Sequence, residues 1–201
     1  MKNNYCTIYI ARHGETEWNV QGKVQGHTDS PLTTAGISQA KNLAKELKSI
    51  KFDAIYSSDL LRAKRTAEYV ALEHQLIVET TEALRERSFG KHEGSTKKVL
   101  DLLEELKQKK IPYSSQNIES DEQLTKRVIT MLREIAIAYP AKTVLVVTHG
   151  GVLIRLLVHL GFMRHEELKN YSVKNTAYIK VASDGVDFFI KETKRIQKAS
   201  D

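Results

Sequence analysis

Cysteine is nearly missing from this sequence: Cys6 stands alone among 201 residues, which excludes an intramolecular disulfide framework. A solitary thiol in a reducing compartment is by default an inert small hydrophobe, so Cys6 is given no role. No apolar run approaches the ~20 residues that a membrane-spanning helix requires. Nor does a charged, apolar and small-residue leader precede the strand-like Thr7 to Ala11. The expectation is a cytoplasmic protein with no membrane partner. Pro/Gly-rich linkers, internal repeats and low-complexity tracts are all missing, so residues 1–201 read as one domain. His-Glu-x-x-His is absent as well, which sets zinc chemistry aside, and neither a metal nor a cofactor is expected.

What the chain does have is a hydrophobic share of 41% and a charged share of 28%, enough for a full core in one compact domain. The formal charge is +6, but Lys and Arg are scattered, with modest clusters only at Lys107 to Lys110 and Lys191 to Lys198. Both clusters read as solvated helix ends or a tail. Without a basic patch interleaved with stacking aromatics, nucleic acid is not an expected partner. A net positive field suits small phosphorylated metabolites instead. No exposed apolar stripe marks an interface, so monomer and homodimer are both open.

Apolar runs of strand length alternate with helical periodicity, the pattern of an α/β domain. Strands are predicted at Tyr5 to Ala11, Ala54 to Ser57, Leu76 to Glu79, Thr143 to Thr148, Thr176 to Ala182 and Val186 to Ile190. The last two, divided by Asp184-Gly185, predict a hairpin. Ile37, Ala40, Leu43, Ala44 and Leu47 fall on one helical face, as do Leu124, Val128, Met131 or Leu132, and Ile135. A third helix is predicted after Asp59 as N-cap, burying Leu60, Ala63, Ala67 and Val70. A fourth spans about Thr96 to Lys109, and a fifth follows Gly150-Gly151. Pro112 to Ser120 is the longest loop and the candidate for a mobile cover.

Three polar clusters each follow a predicted strand: Arg12-His13-Gly14-Glu15-Thr16, then Ser57 through Arg62, then His149-Gly150-Gly151. If those strands are parallel, all three lie at the carboxyl edge of one sheet, where open α/β domains bind ligands. Helix N-termini following Asp59 and Gly150 would aim N–H groups at the same crevice, making an anion site. A lone His after a strand is more often structural. Two His and two Arg converging on one edge match what phosphoryl transfer needs: a nucleophile and cationic clamps.

These residues also carry a family likeness. Ile10-Ala11-Arg12-His13-Gly14-Glu15-Thr16-Glu17-Trp18-Asn19 resembles the Arg-His-Gly signature of the histidine phosphatase superfamily, which includes the cofactor-dependent phosphoglycerate mutases. In the family's order follow Gln25 to Thr33, similar to its substrate loop, and Tyr56 to Ala63, similar to its Ser-x-Leu-x-Arg-Ala segment. Leu84 to Gly94 resembles the segment holding the family's acid, and Val147 to Gly151 its second histidine motif. The likeness covers roughly residues 5 to 182.

The resemblance implies a three-layer α/β/α sandwich around a mostly parallel six-stranded sheet, and a phosphomonoester hydrolase working through a phosphohistidine. In that scheme His13 attacks phosphorus, Arg12, Arg62 and His149 hold the phosphoryl oxygens, and Glu86 donates the proton. Glu82 and Glu93 lie close to Glu86 in sequence, and spacing alone does not exclude them. Asn19, Gln25, Gly26 and Gly150 would line the substrate site, Asn19 bonding the phosphate and Gly26 letting the loop backbone approach it. Adjacent guanidinium charge would keep His13 neutral, and a backbone carbonyl would fix its tautomer. Glu15 and Glu17 are left as structural or rim residues. Arg87, Lys91 and Lys97 are candidates for reading a second anionic group, against a plainer reading as exposed cations.

Two departures bear on substrate. Where many small phosphatases of the family carry Gly-Gly-Glu-Ser, this chain has Asn117-Ile118-Glu119-Ser120. The stretch from Gly94 to Glu119 is also too short for the insertion typical of the mutases, so mutase activity is the runner-up and a non-catalytic relative the third reading. The motifs look most like the fructose-2,6-bisphosphatase-type and alpha-ribazole-phosphatase-type branches, and the natural substrate is not legible.

Overall fold

The computed structural model describes residues 4–96 and 98–198. A six-stranded sheet runs through it in the order β3-β2-β4-β1-β5-β6. Strands β1 (Cys6–Arg12), β2 (Ala54–Ser58), β3 (Val78–Thr81) and β4 (Thr143–Thr148) are parallel. Strands β5 (Tyr171–Ser183) and β6 (Phe188–Lys198) complete the sheet in antiparallel pairing.

β1 and β4 are nearly unbroken apolar runs because helices cover both of their faces. On one face Cys6, Ile8, Ile10, Val144 and Val146 pack with the buried side of α5 (Asp121–Ala138) and α6 (Gly150–His159). On the other, Tyr9, Ala11, Leu145 and Val147 meet α2 (Thr34–Leu47) and α3 (Leu61–His74). Full burial of one such side chain is worth about 1.5–3 kcal/mol, and a one-residue slip would exchange the faces of the whole strand. The register Arg12↔Thr148 is thereby fixed far from the residues it serves. A third, smaller cluster joins Val24, Phe89 and Ile118 to Leu102 and Leu106 of α4 (Val99–Gln108). A single turn, α1 (Glu17–Val20), follows the β1 loop.

Three expectations need correction. Asp59 does not cap α3: its N-cap is Leu60, whose side chain makes no cap bond, while Asp59 is turned away to the Arg85 guanidinium. The cap is supplied from the loop of residues 25–33 by Asp29, whose carboxylate accepts from the backbone N–H groups of Leu61 and Arg62. Lys191 to Lys198 is neither a helix end nor a tail but part of the edge strand β6, a place where lysines protect an open sheet edge. The segment Pro112 to Ser120 contains the short helical turn Tyr113–Gln116 and is tied down by a Phe89↔Ile118 bridge and by Glu119 N–H donating to Ser88 O at 2.9 Å. Asn117 takes the left-handed conformation there (φ 56), which asparagine tolerates better than most residues, and Ser120 caps α5 in a capping box with Gln123.

Candidate active site

Because β1 and β4 are neighbours in register, the residues that follow them meet. His13 and His149 lie with ring centroids 5.2 Å apart. Both are buried, at 3% and 0% exposure. The ladder continues one step past β1, with His13 N–H donating to Thr148 O at 3.0 Å. His13 Nδ1 lies 2.7 Å from Gly14 O; a carbonyl only accepts, so Nδ1 carries the proton and Nε2 presents its lone pair. Neither ring nitrogen of His149 has a partner among the described residues.

Arg62 reaches the same place from the first turn of α3, with 1% of it exposed. Its guanidinium donates to the carbonyls of Gly26 (2.6 Å) and Thr28 (2.9 Å) and to Asp29 Oδ1 (3.0 Å). Arg12 donates to Val173 O. On each guanidinium the Nε is buried without a partner. Buried donors in native proteins are almost always satisfied, so these orphans together with the bare imidazole of His149 describe a place for an oxyanion. Burial, then Arg62 and Arg12, holds the His13 pKa well below its ordinary 6.5; burial, then Arg62 and His13, does the same for His149.

The buried imidazoles have a consequence for stability. In the unfolded chain they take up protons near pH 6.5, whereas in the fold they do so only well below it. Below 6.5 the unfolded state therefore binds more protons, and stability falls as pH falls, approaching ~1.4 kcal/mol per pH unit for each imidazole. The urea midpoint of the phosphate-free protein is expected to drop between about pH 7 and about pH 5. A His149→Gln variant should drop less. Equal slopes in the two proteins would contradict the burial of His149.

The three carboxylates left open by sequence spacing are in different situations. Glu82 is exposed and paired with Arg85. Glu93 accepts from His27 N, Thr28 N, Thr28 Oγ1 and Phe89 N, so it is a staple for the substrate loop. Glu86 faces the guanidiniums of Arg12 and Arg62, accepting from Arg87 N at 2.8 Å and from Gly151 N in the first turn of α6 at 2.9 Å. A Cβ at Gly151 would lie 2.4 Å from Glu86 Oε1, so the second glycine of His-Gly-Gly makes room for that carboxylate. Both helix N-termini expected to face an incoming anion thus already hold carboxylates, Asp29 on α3 and Glu86 on α6.

The remaining sequence-predicted residues divide. Gly150 lies against Arg12, where a Cβ would be 3.3 Å from Nε. Gly26 has φ +57 and its carbonyl meets Arg62; a Cβ there would strike Glu93 at 2.2 Å, so its smallness serves the loop staple. Asn19 spends its Oδ1 on Thr16 N and Asn175 Nδ2, leaving its own Nδ2 for an oxyanion. Gln25 is buried with Oε1 unpartnered among the described residues. Glu15 is structural, accepting from Thr33 Oγ1. Of the candidates for a second anion, Arg87 is buried against Asp121, Lys91 is exposed, and Lys97 lies outside the described residues. Among the described residues no group of three or more His, Cys, Asp or Glu is placed to hold a metal ion. Among the described residues no helix is long and apolar enough to cross a membrane.

Sequence reasoning missed Arg127. From α5 it donates to the carbonyls of Ala83 (2.9 Å), Arg85 (2.7 Å) and Glu86 (2.9 Å) while paired with Glu119, and so holds the segment that carries Glu86. His27 Nε2 lies 2.9 Å from the same Glu86 carbonyl. No local signal marked it, because α5 also carries Lys126 and Arg133.

A mostly parallel sheet that presents two buried imidazoles and two guanidiniums at its carboxyl edge defines an α/β enzyme suited to a phosphoryl group. The model of the histidine phosphatase superfamily (branch 1) matches residues 8–195, and the chain belongs to that superfamily. It is 37% identical to the uncharacterized phosphatase PhoE of Bacillus subtilis (strain 168) over 76% of each chain. It is 34% identical to the adenosylcobalamin/alpha-ribazole phosphatase of Escherichia coli (strain K12), covering 83% of this chain and 84% of the other. A solved structure of phosphoglycerate mutase from Bacillus anthracis superposes with a TM-score of 0.78 at 28% identity, over 94% of this chain and 92% of the other. The chain is accordingly a phosphatase-type enzyme, a phosphoric monoester hydrolase.

Proposed function

We propose that the protein hydrolyses small phosphorylated metabolites in two steps on His13. The His13 Nε2 lone pair attacks phosphorus, the P–O bond to the leaving group breaks, and Glu86 gives that oxygen its proton. Water then attacks the phosphohistidine, Glu86 takes the water proton, the P–N bond breaks, and inorganic phosphate leaves. Arg12, Arg62 and His149 hold the phosphoryl oxygens throughout, and Asn19 Nδ2 adds a donor. The observation that carries this reading is the neutral, Nδ1-protonated His13 set beside unpartnered guanidinium and imidazole nitrogens. Such donors are fixed before substrate arrives, so little reorganisation accompanies charge development.

A monomer or homodimer in the cytoplasm, with no nucleic-acid partner and no cofactor, completes the reading; the lone thiol and the absence of a basic aromatic patch support it. Mutase chemistry, in which the phosphoryl group returns to a second hydroxyl instead of water, is the alternative kept by the likeness to a phosphoglycerate mutase. A panel of phosphorylated metabolites, incubated with a metal chelator and scored for free phosphate against isomerised product, separates the two. Free phosphate is expected from several members, undiminished by the chelator. Isomerised product without phosphate would reverse the assignment, and activity lost in chelator and restored by a divalent cation would overturn the metal-free scheme.

A further inference from the structure

β5 and β6 lose register at two places, a one-residue bulge at Lys191 and a wider break nearer the nucleophile. Between Val173↔Ile196 and Tyr178↔Lys194, four residues of β5 stand opposite the single residue Arg195. Thr176 on one side and Arg195 on the other both have φ +57, and a buried β-branched residue in the left-handed region is a genuine outlier that the surrounding structure has to hold in place. The break sits beside the nucleophile. Thr176 N–H (3.3 Å) and Asn175 Nδ2 (3.2 Å) both donate to the carbonyl of His13. The Thr176 carbonyl, released from the ladder, accepts from Arg195 Nε (3.2 Å) and Nη2 (2.9 Å), and Arg195 Nη1 is anchored on Glu46 of α2 at 2.8 Å.

The peptide that links His13 to Gly14 is held at both ends. Its oxygen takes the two donors from β5, and its nitrogen, Gly14 N–H, donates to Thr66 Oγ1 at 3.0 Å. The next carbonyl, Gly14 O, is the acceptor for His13 Nδ1. Orientation of one peptide plane constrains the next, because only φ and ψ of Gly14 separate them and glycine by itself supplies little restraint.

We propose that this sheet break is a positioning device in which Arg195 and Asn175 clamp the His13 peptide, keeping Gly14 O on Nδ1 and Nε2 aimed at phosphorus. The proposal rests on His13 being the nucleophile. Neither residue touches substrate in this scheme; Arg195 acts through backbone geometry, and Asn175 does so while also supporting Asn19 at 3.3 Å. A cleft of about 450 Å³ bordered by Glu46, Asn175, Thr176 and Arg195 opens the clamp to small solutes.

The test compares Arg195→Ala, Asn175→Ala and Lys194→Met in the full chain. Single-turnover formation of phosphohistidine should slow roughly 10–100-fold in the first two, the scale of a misaligned reacting atom. The dissociation constant for inorganic phosphate should stay unchanged in Arg195→Ala, whereas Asn175→Ala also releases Asn19 and should bind phosphate more weakly. Nitrogen NMR of His13 should show the single Nδ1–H tautomer in the wild type and a mixture in those two variants. Lys194 pairs with Glu46 and has no part in the clamp, so Lys194→Met should match the wild type. Methylguanidinium entering the cleft should restore Arg195→Ala. If Arg195→Ala does not fold, Asn175→Ala decides alone. Wild-type rate and tautomer in a folded Asn175→Ala protein would overturn the clamp. A wild-type protein that never forms phosphohistidine would instead overturn the nucleophile assignment, and the tautomer measurement would still decide whether the clamp exists.

Discussion

His13→Ala is expected to lower phosphate release by roughly 10⁴-fold or more and to remove every trace of acid-labile phosphate on the protein, the scale seen when a covalent nucleophile is deleted. His149 is the imidazole packed against His13, and its ring nitrogens have no partner among the described residues to fix a tautomer. Without the bond to Gly14 O that commits His13, it is poorly prepared to substitute. The variant should keep its hold on inorganic phosphate, because Arg12, Arg62 and His149 all remain. It should also fold, since the deletion takes out a buried polar ring rather than part of the apolar core. Phosphate affinity near the wild-type value together with absent turnover therefore identifies a lost nucleophile. Turnover near the wild-type level would end the phosphohistidine scheme, and loss of phosphate binding along with turnover would mean that the crevice had collapsed.

The parts of this molecule that were legible in the sequence are those decided locally or by an edge rule. β1 and β4 announce themselves as apolar runs covered on both faces, and the parallel arrangement then forces His13 and His149 together although 136 residues separate them. The stripes Ala40-Leu43-Ala44-Leu47 and Leu124-Val128-Leu132-Ile135 follow from helical spacing alone. What escaped was decided by long-range competition for polar groups. Asp59 has the right residue type and lies one position before the N-cap Leu60, yet Arg85 takes its carboxylate and Asp29 caps the helix from the loop of residues 25–33. No local pattern says which of two acids will win. The roles of Glu93, Arg127, Asn175 and Arg195 are hidden for the same reason: each is an ordinary polar residue in its own segment and acquires its importance from backbone groups that lie elsewhere in the chain. Gly26 was marked as a site of close approach, but what approaches is the Glu93 carboxylate; Gly151, given no role of its own, makes room for Glu86 in the same way.

Glu86→Gln is expected to separate substrates by the basicity of the group they release. An alkyl phosphate expels an alkoxide that must be protonated as the P–O bond breaks, whereas a nitrophenyl ester expels a stable phenolate that needs little help. Phosphohistidine formation from alkyl esters should therefore fall by roughly 10²–10⁴-fold, the range of a positioned general acid, while the aryl ester loses far less. The amide is isosteric, and its oxygen can still accept one of the bonds that Arg87 N and Gly151 N now give the carboxylate, so the crevice should keep its shape. The same group activates water in the second step. The variant fed an aryl ester should accordingly release a burst of nitrophenol and accumulate phosphohistidine, a signature that simple loss of binding does not produce. Glu82→Gln and Glu93→Gln are the necessary comparisons. Glu82 is exposed beside Arg85 and should change nothing, whereas Glu93 holds the loop that presents Gly26 and Thr28 to Arg62, so its loss should weaken phosphate binding for both ester types equally. If leaving-group dependence followed Glu93 or Glu82 and not Glu86, or if both ester types slowed alike in Glu86→Gln, the proton donor would have to be sought elsewhere on the rim of the crevice.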